Sequence, residues 1–170
     1  ANDTITPLMA LGARLVLKSM RGERIVELDG FYQGVRRVDM QPDEMLTDIS
    51  FPALQANQRG TFIKFALRRA QAISLVNAAV ILTFDEGKIE SASITLGAVA
   101  PTIIHATAAE EYLRGIRPDD VVIQKAAYLA MDAARPISDI RGSALYRKRM
   151  IGVITRRAIK SIISHTERQD

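Results

Sequence analysis

The side chains that most often carry chemistry are sparse in this sequence. It has two histidines, His105 and His165, and imidazole is the group best suited to proton transfer near neutral pH or to metal binding. Neither has a carboxylate or second histidine at metal-ligand spacing, so each reads as a pocket-edge or surface imidazole. Glu110-Glu111 is a carboxylate pair in sequence only. Adjacent helical residues point in different directions, so the pair reads as a solvated face and not as an acid/base dyad. Ser143 follows Arg141-Gly142 with no base nearby in sequence, and it reads as a helix cap. With no cysteine, disulfides, thiolate zinc sites and cysteine-held iron–sulfur clusters are excluded from this chain. Backbone cradles for phosphate need closely spaced glycines. The ten glycines here include no adjacent pair and no GxGxxG. The basic groups Arg147-Lys148-Arg149 and Arg156-Arg157 have only Tyr146 among them as an aromatic, which is poor for stacking bases. They read as a solvated helix face or a subunit contact, with nucleic acid the weakest alternative. The residues alone give no support for acid/base or nucleophilic catalysis.

The elements that would position such residues belong to a folded chain. Of 170 residues, 48% are hydrophobic and 25% charged, too apolar a balance for disorder. The densest apolar run, Ser74 to Phe84, is broken by Asn77 and falls short of the roughly 18 residues of a membrane span. Formal net charge is +4, and the segment from Arg141 onward carries much of the basic excess. The start, Ala1-Asn2-Asp3-Thr4, resembles neither a signal peptide nor an initiator methionine, so the expectation is a chain that has lost its beginning. Cytoplasm is the default location.

Periodicity predicts a short helix from Thr4 to Ala13, capped by Thr4 or Thr6 and ended by Gly12. Alternation predicts strands over Arg14–Ser19 and Glu23–Leu28, joined by a turn at Met20–Gly22, and a third over Met45–Phe51 stopped by Pro52. Asp29–Gly34 reads as a turn or short helix, and Asp39–Glu44 as a loop. The polar stretch Ala53–Gly60 marks a domain boundary. Beyond it, Thr61–Leu67, Leu75–Phe84 and Lys88–Leu96 read as an antiparallel meander. Helices follow over Ala106–Leu113, from an Asp119 or Asp120 cap with the stripe Val122, Ala126, Leu129 and Ala133, and over Ser143–Ile163 with Leu145, Ile151, Ile154, Ala158 and Ile162 on one side. Strands followed by helices give an α+β fold, not an alternating one.

Ordered segments carry a family resemblance. They are Asn2-Asp3, Pro7 to Ala13, Gly22-Glu23-Arg24, Gly30-Phe31-Tyr32, Gly34 to Arg37 and Pro42 to Leu46, then Phe62 to Phe65, Arg68-Arg69-Ala70, Leu96 to Pro101 and Ile137 to Arg147. Together they resemble the FAD-binding (medium) subunit of molybdenum hydroxylases, the xanthine dehydrogenase and carbon monoxide dehydrogenase group. The likeness covers the later part of such a subunit. It implies that residues 1–52 are the tail of an α+β FAD-binding domain. Residues 60–170 would be its C-terminal domain, a small three-stranded antiparallel sheet packed with helices. The missing N-terminal FAD-binding segment, with its glycine-rich phosphate loops, would precede Ala1.

The resemblance further implies electron transfer. FAD here would accept electrons from 2Fe-2S clusters on a small subunit, themselves fed by a molybdenum cofactor on a large subunit, and pass them to NAD, a quinone or another acceptor. It carries over Asp3 as a carboxylate contacting FAD, Met45 and Leu46 as an apolar pair lining the flavin site, and Lys64 as a cation near the flavin ring. Each has a plainer reading: a helix cap, strand packing and a solvent-facing lysine. Arg36 occupies a family arginine position, with a structural ion pair as its alternative. Val35 and Ala72 depart from the family, where many relatives have an aromatic residue and an aspartate. The competing function is a non-enzymatic assembly module whose helices and basic tail dock partner subunits. No partner nucleic acid and no membrane span are expected.

Overall fold

The computed structural model describes residues 3–68, 70 and 72–166, the last two by backbone alone. Asn2, Arg69 and the side chain of His165 therefore lie outside the described residues.

The chain opens with α1 (Ile5–Ala10), which Gly12 closes in the left-handed region at φ 68°. Neither threonine caps it: Thr4 makes no capping bond, and Thr6 is buried with its hydroxyl turned to Asn77. A first antiparallel sheet has the order β2–β1–β5, from β1 (Arg14–Ser19), β2 (Gly22–Glu27) and β5 (Met45–Ser50). Alternation along β1 turns Leu15 and Leu17 inward, where Ile5, Met9, Leu28 and Phe31 join them in a small core. β5 at the edge keeps every residue exposed.

Between β2 and β5 the structure corrects the expected turn or helix. Here β3 (Tyr32–Gly34) and β4 (Arg37–Val38) form a hairpin, with Arg36 at φ 57° in its turn. Only three and two residues long, these strands are too short to show alternation.

The second sheet is β6 (Gln58–Ala66), β7 (Ser74–Asp85), β8 (Lys88–Gly97) and the two-residue β9 (Ile104–His105), antiparallel in chain order. The meander is as expected, with β9 added at its edge. β7 is buried almost throughout because helix α4 covers one part of it and α1 another. A strand covered on both faces reads as a continuous apolar run and does not alternate.

Helices α2 (Thr107–Leu113), α3 (Asp120–Ala133) and α4 (Ala144–Thr166) pack on this sheet and on each other. Asp119 caps α3 by accepting from the Val122 N–H at 2.7 Å. Ser143 accepts from the Tyr146 N–H at 3.2 Å at the start of α4. The buried face of α3 is Ile123, Ala126, Ala127 and Ala130, rotated from the expected stripe because α2 and α4 both contact this helix. On α4 the stripe begins at Arg147 and runs through Ile151, Ile154, Ala158 and Ile162, while Leu145 is exposed. One turn before Ile151 lies position 147, not 145. Among the described residues no helix is long and apolar enough to cross a membrane.

Candidate functional site

Asn77 is the polar break in the apolar strand β7, and its amide organises a buried network. It donates to Asp3 Oδ1 and to Ser74 Oγ, both at 3.1 Å, and its oxygen accepts from the Thr6 hydroxyl at 2.7 Å. Ser74 also donates to Asp3 Oδ1 at 2.5 Å, and Thr95 donates to the Thr6 carbonyl at 2.8 Å. Every member finds a partner, as buried polar groups must. The network ties the entry to α1 onto β7 and β8. It also demands Gly97, where a Cβ would stand 2.1 Å from Asn77 Oδ1.

The second Asp3 oxygen meets Lys64 Nζ at 2.6 Å, and Lys64 also donates to the Ala72 carbonyl at 2.6 Å. One ammonium proton of Lys64 is left over, and both partners keep about a third of their side chains exposed. Burial pushes the Asp3 carboxyl up, but the Lys64 ammonium and the Ser74 and Asn77 donors outweigh it and hold the group below its usual value. The structure thus joins Lys64 to Asp3, and Asp3 lines a groove of about 460 Å³ with Asn77, Tyr32, Val35, Ile103 and Arg147, although Lys64 itself is not in that lining.

Met45 and Leu46 are not part of that groove's lining. They stand on the exposed edge strand β5, at 68% and 39% exposure, opposite Lys18 and Leu17. Arg36 is exposed on its hairpin turn and has no ion pair among the described residues.

The sequence reading places Arg147 on a solvated helix face or a subunit contact, but the residue is 2% exposed at the groove floor. It donates to the Leu75 carbonyl at 2.9 Å and the Ala98 carbonyl at 3.3 Å, and its Nη2 lies 2.6 Å from Asp139. Asp139 also takes Arg141 through Nε at 3.0 Å and Nη2 at 2.6 Å. Led by the Arg141 bonds, these contacts hold the Asp139 carboxyl well below the carboxylate range. Ala98, in the left-handed region at φ 61°, lines the same groove. A buried arginine in a basic run has no signature in sequence; the apolar spacing of α4 through position 147 was the available signal.

The reading of Glu110 is also corrected, while His105 stands at a pocket edge as expected. Glu110 is not a solvated carboxylate: it accepts from the Ile94 N–H at 2.6 Å and meets His105 Nδ1 at 2.8 Å. The pair forms because β9 and the first turn of α2 fold back on β8. Among the described residues no group of carboxylates and histidines could hold a metal.

Residues 61–162 match the model of the CO dehydrogenase flavoprotein C-terminal domain. The chain belongs to that CO dehydrogenase flavoprotein family. Residues 1–54 match a second model, the FAD binding domain in molybdopterin dehydrogenase. The carbon monoxide dehydrogenase medium chain of Afipia carboxidovorans is 36% identical over 159 residues, 94% of this chain and 55% of the relative. A putative xanthine dehydrogenase FAD-binding subunit of Escherichia coli is 27% identical, over 95% of this chain and 56% of the relative. The flavoprotein family fold extends to solved structures: a reconstituted CO dehydrogenase from Oligotropha carboxidovorans aligns with a TM-score of 0.89 at 36% identity, over 96% of this chain and 57% of that one. The chain therefore spans little more than half the length of these relatives.

Proposed function

We propose that this chain is the later part of the flavoprotein subunit of a molybdenum hydroxylase and helps to hold FAD. In this reading, residues 1–52 complete the flavin-binding domain, and residues 60–170 form the C-terminal domain. Partner subunits carry the molybdenum cofactor and 2Fe-2S clusters, and the setting is cytoplasmic. The observation that carries the reading is the 2.6 Å contact between Asp3 and Lys64, two positions that the family likeness singles out, with Asp3 on the wall of a groove.

The donor set suits a flavin. Asp3 offers a carboxylate fixed by three donors, Lys64 keeps one N–H free, and Met45 and Leu46 offer exposed apolar surface for a ring or a preceding segment to cover. FAD, when bound, supplies the redox chemistry, while the protein supplies binding, orientation and charge. Lys64 contributes positive charge that favours added electron density and so raises the flavin potential. Asp3 sets where that ammonium points and partly offsets its charge. Val35 puts a small aliphatic wall on the groove.

The test is Lys64→Gln in the whole flavoprotein, assembled with its partners. The expected result is a lower flavin potential by spectroelectrochemistry, with intact assembly. Lost assembly with an unchanged potential supports the docking-module reading instead, and a purified complex without flavin absorption overturns the proposal.

A further inference from the structure

Helices α3 and α4 leave a seam between them that neither the flavin reading nor the core accounts for. It is about 470 Å³ in volume. Its floor is apolar: Met131, Val153 and Tyr128, the last two 39% and 54% exposed. The seam exists because the helices approach closely at Gly152, where a Cβ would meet Met131 Cβ at 3.2 Å. Its rim is cationic. Arg149, Val153, Arg156 and Lys160 follow one another at helical spacing along α4, with Arg157 beside them.

Among the described residues the charge on this rim is only partly answered. Lys160 pairs with Asp120 at 2.5 Å, and Lys148 with Asp132 at 3.2 Å. Asp120 also feels the charge of Arg156, but it makes its direct contact with Lys160. Arg149, Arg156 and Arg157 are exposed and have no ion pair among the described residues, and Lys125 sits 5.8 Å from the Tyr128 ring on the facing helix. Apolar surface ringed by an excess of like charge is a poor solvent face and a good receptor for the opposite charge.

We propose that the α3–α4 seam docks an acidic segment of a partner protein, an aliphatic or aromatic anchor of that segment entering between Tyr128 and Val153 while its carboxylates meet Arg149, Arg156 and Arg157. The proposal rests on the functional reading only in requiring that the protein assemble with other chains. A second copy is disfavoured because a two-fold contact through this seam would bring the same cations together. Nucleic acid is disfavoured because the cleft takes one or two side chains and its floor has one aromatic ring for stacking.

The test uses the protein co-expressed and purified with its partner chains. In R149E/R156E/R157E, all three on the exposed face, the dissociation constant for the partner should rise at least about tenfold, and its salt dependence should flatten. A thermal melt near that of the parent checks the fold. Independently, a photo-crosslinking benzoylphenylalanine at position 153 of the otherwise unaltered chain should yield, by mass spectrometry, a partner peptide rich in Asp and Glu. An unchanged constant with unchanged salt dependence overturns the proposal. So does a crosslink to a neutral or basic segment, to a second copy or to nucleic acid, or the absence of any crosslink in the assembled complex. Flavin absorbance is read on the same samples, so loss of flavin with the docking result intact counts against the Asp3 site alone.

Discussion

Replacing Gly97 by alanine puts a methyl carbon into the centre of the polar network under α1. The new Cβ would stand 2.1 Å from Asn77 Oδ1 and 2.5 Å from Thr6 Oγ1, in buried surroundings where ordinary contact begins near 3.4 Å. Asn77 must therefore retreat by about 1 Å or more, too far to keep both its 2.7 Å bond from Thr6 and its 3.1 Å bond to Asp3. Overpacking of this kind costs about 1–3 kcal/mol. Two weakened buried hydrogen bonds add about 1 kcal/mol each, so the loss should be about 3–5 kcal/mol. With a urea slope of about 2 kcal/mol/M for a small domain, the midpoint should fall by roughly 1.5–2.5 M. Far-UV circular dichroism is the suitable probe, since the chain has no tryptophan. Asn77→Ala removes the nearer clashing atom, so the double variant should be less damaged than the sum of the two, with a coupling of about 1–3 kcal/mol. A Gly97→Ala unfolding free energy within about 0.5 kcal/mol of the parent, or strict additivity with Asn77→Ala, would refute the network argument.

Arg147→Met should destabilise by about 3–5 kcal/mol in the same urea assay, because it strips the Leu75 and Ala98 carbonyls of a donor and removes one cation from Asp139; parent-like stability would show that the buried guanidinium is not structural. Ala98→Gly should stabilise by about 0.5–1 kcal/mol by relieving the left-handed backbone at φ 61°, and a loss in thermal unfolding would contradict that strain. The hydrogen bond to Glu110 raises the His105 pKa against an opposing effect of burial. A raised folded value means that the His105 contribution is complete below the unfolded value near 6.5 and is lost as pH rises through the folded one. The stability difference between the parent and His105→Gln should therefore shrink with rising pH above about 6.5, and equilibrium unfolding across pH 5–9 giving parallel curves would exclude the linkage.

Much of the architecture was written locally. The strand β1 follows alternation between Arg14 and Ser19, the Asp119 cap starts α3, and the spacing of Ile151, Ile154, Ala158 and Ile162 gives the inner face of α4. Such features depend on residues within a turn or two, so a linear pattern records them. Asn77 interrupting an apolar run was a legible sign of a buried polar centre, though its partners Thr6, Ser74 and Asp3 were not legible. The tertiary structure alone decided the rest. It put Lys64 against Asp3, folded Glu110 back to Ile94 and His105, paired the short β3 and β4 strands, and withdrew Arg147 from a basic run into the interior. Charges and amides carry no periodicity of their own; whether each is solvated, paired or buried depends on which distant backbone arrives beside it, and only the closed chain fixes that.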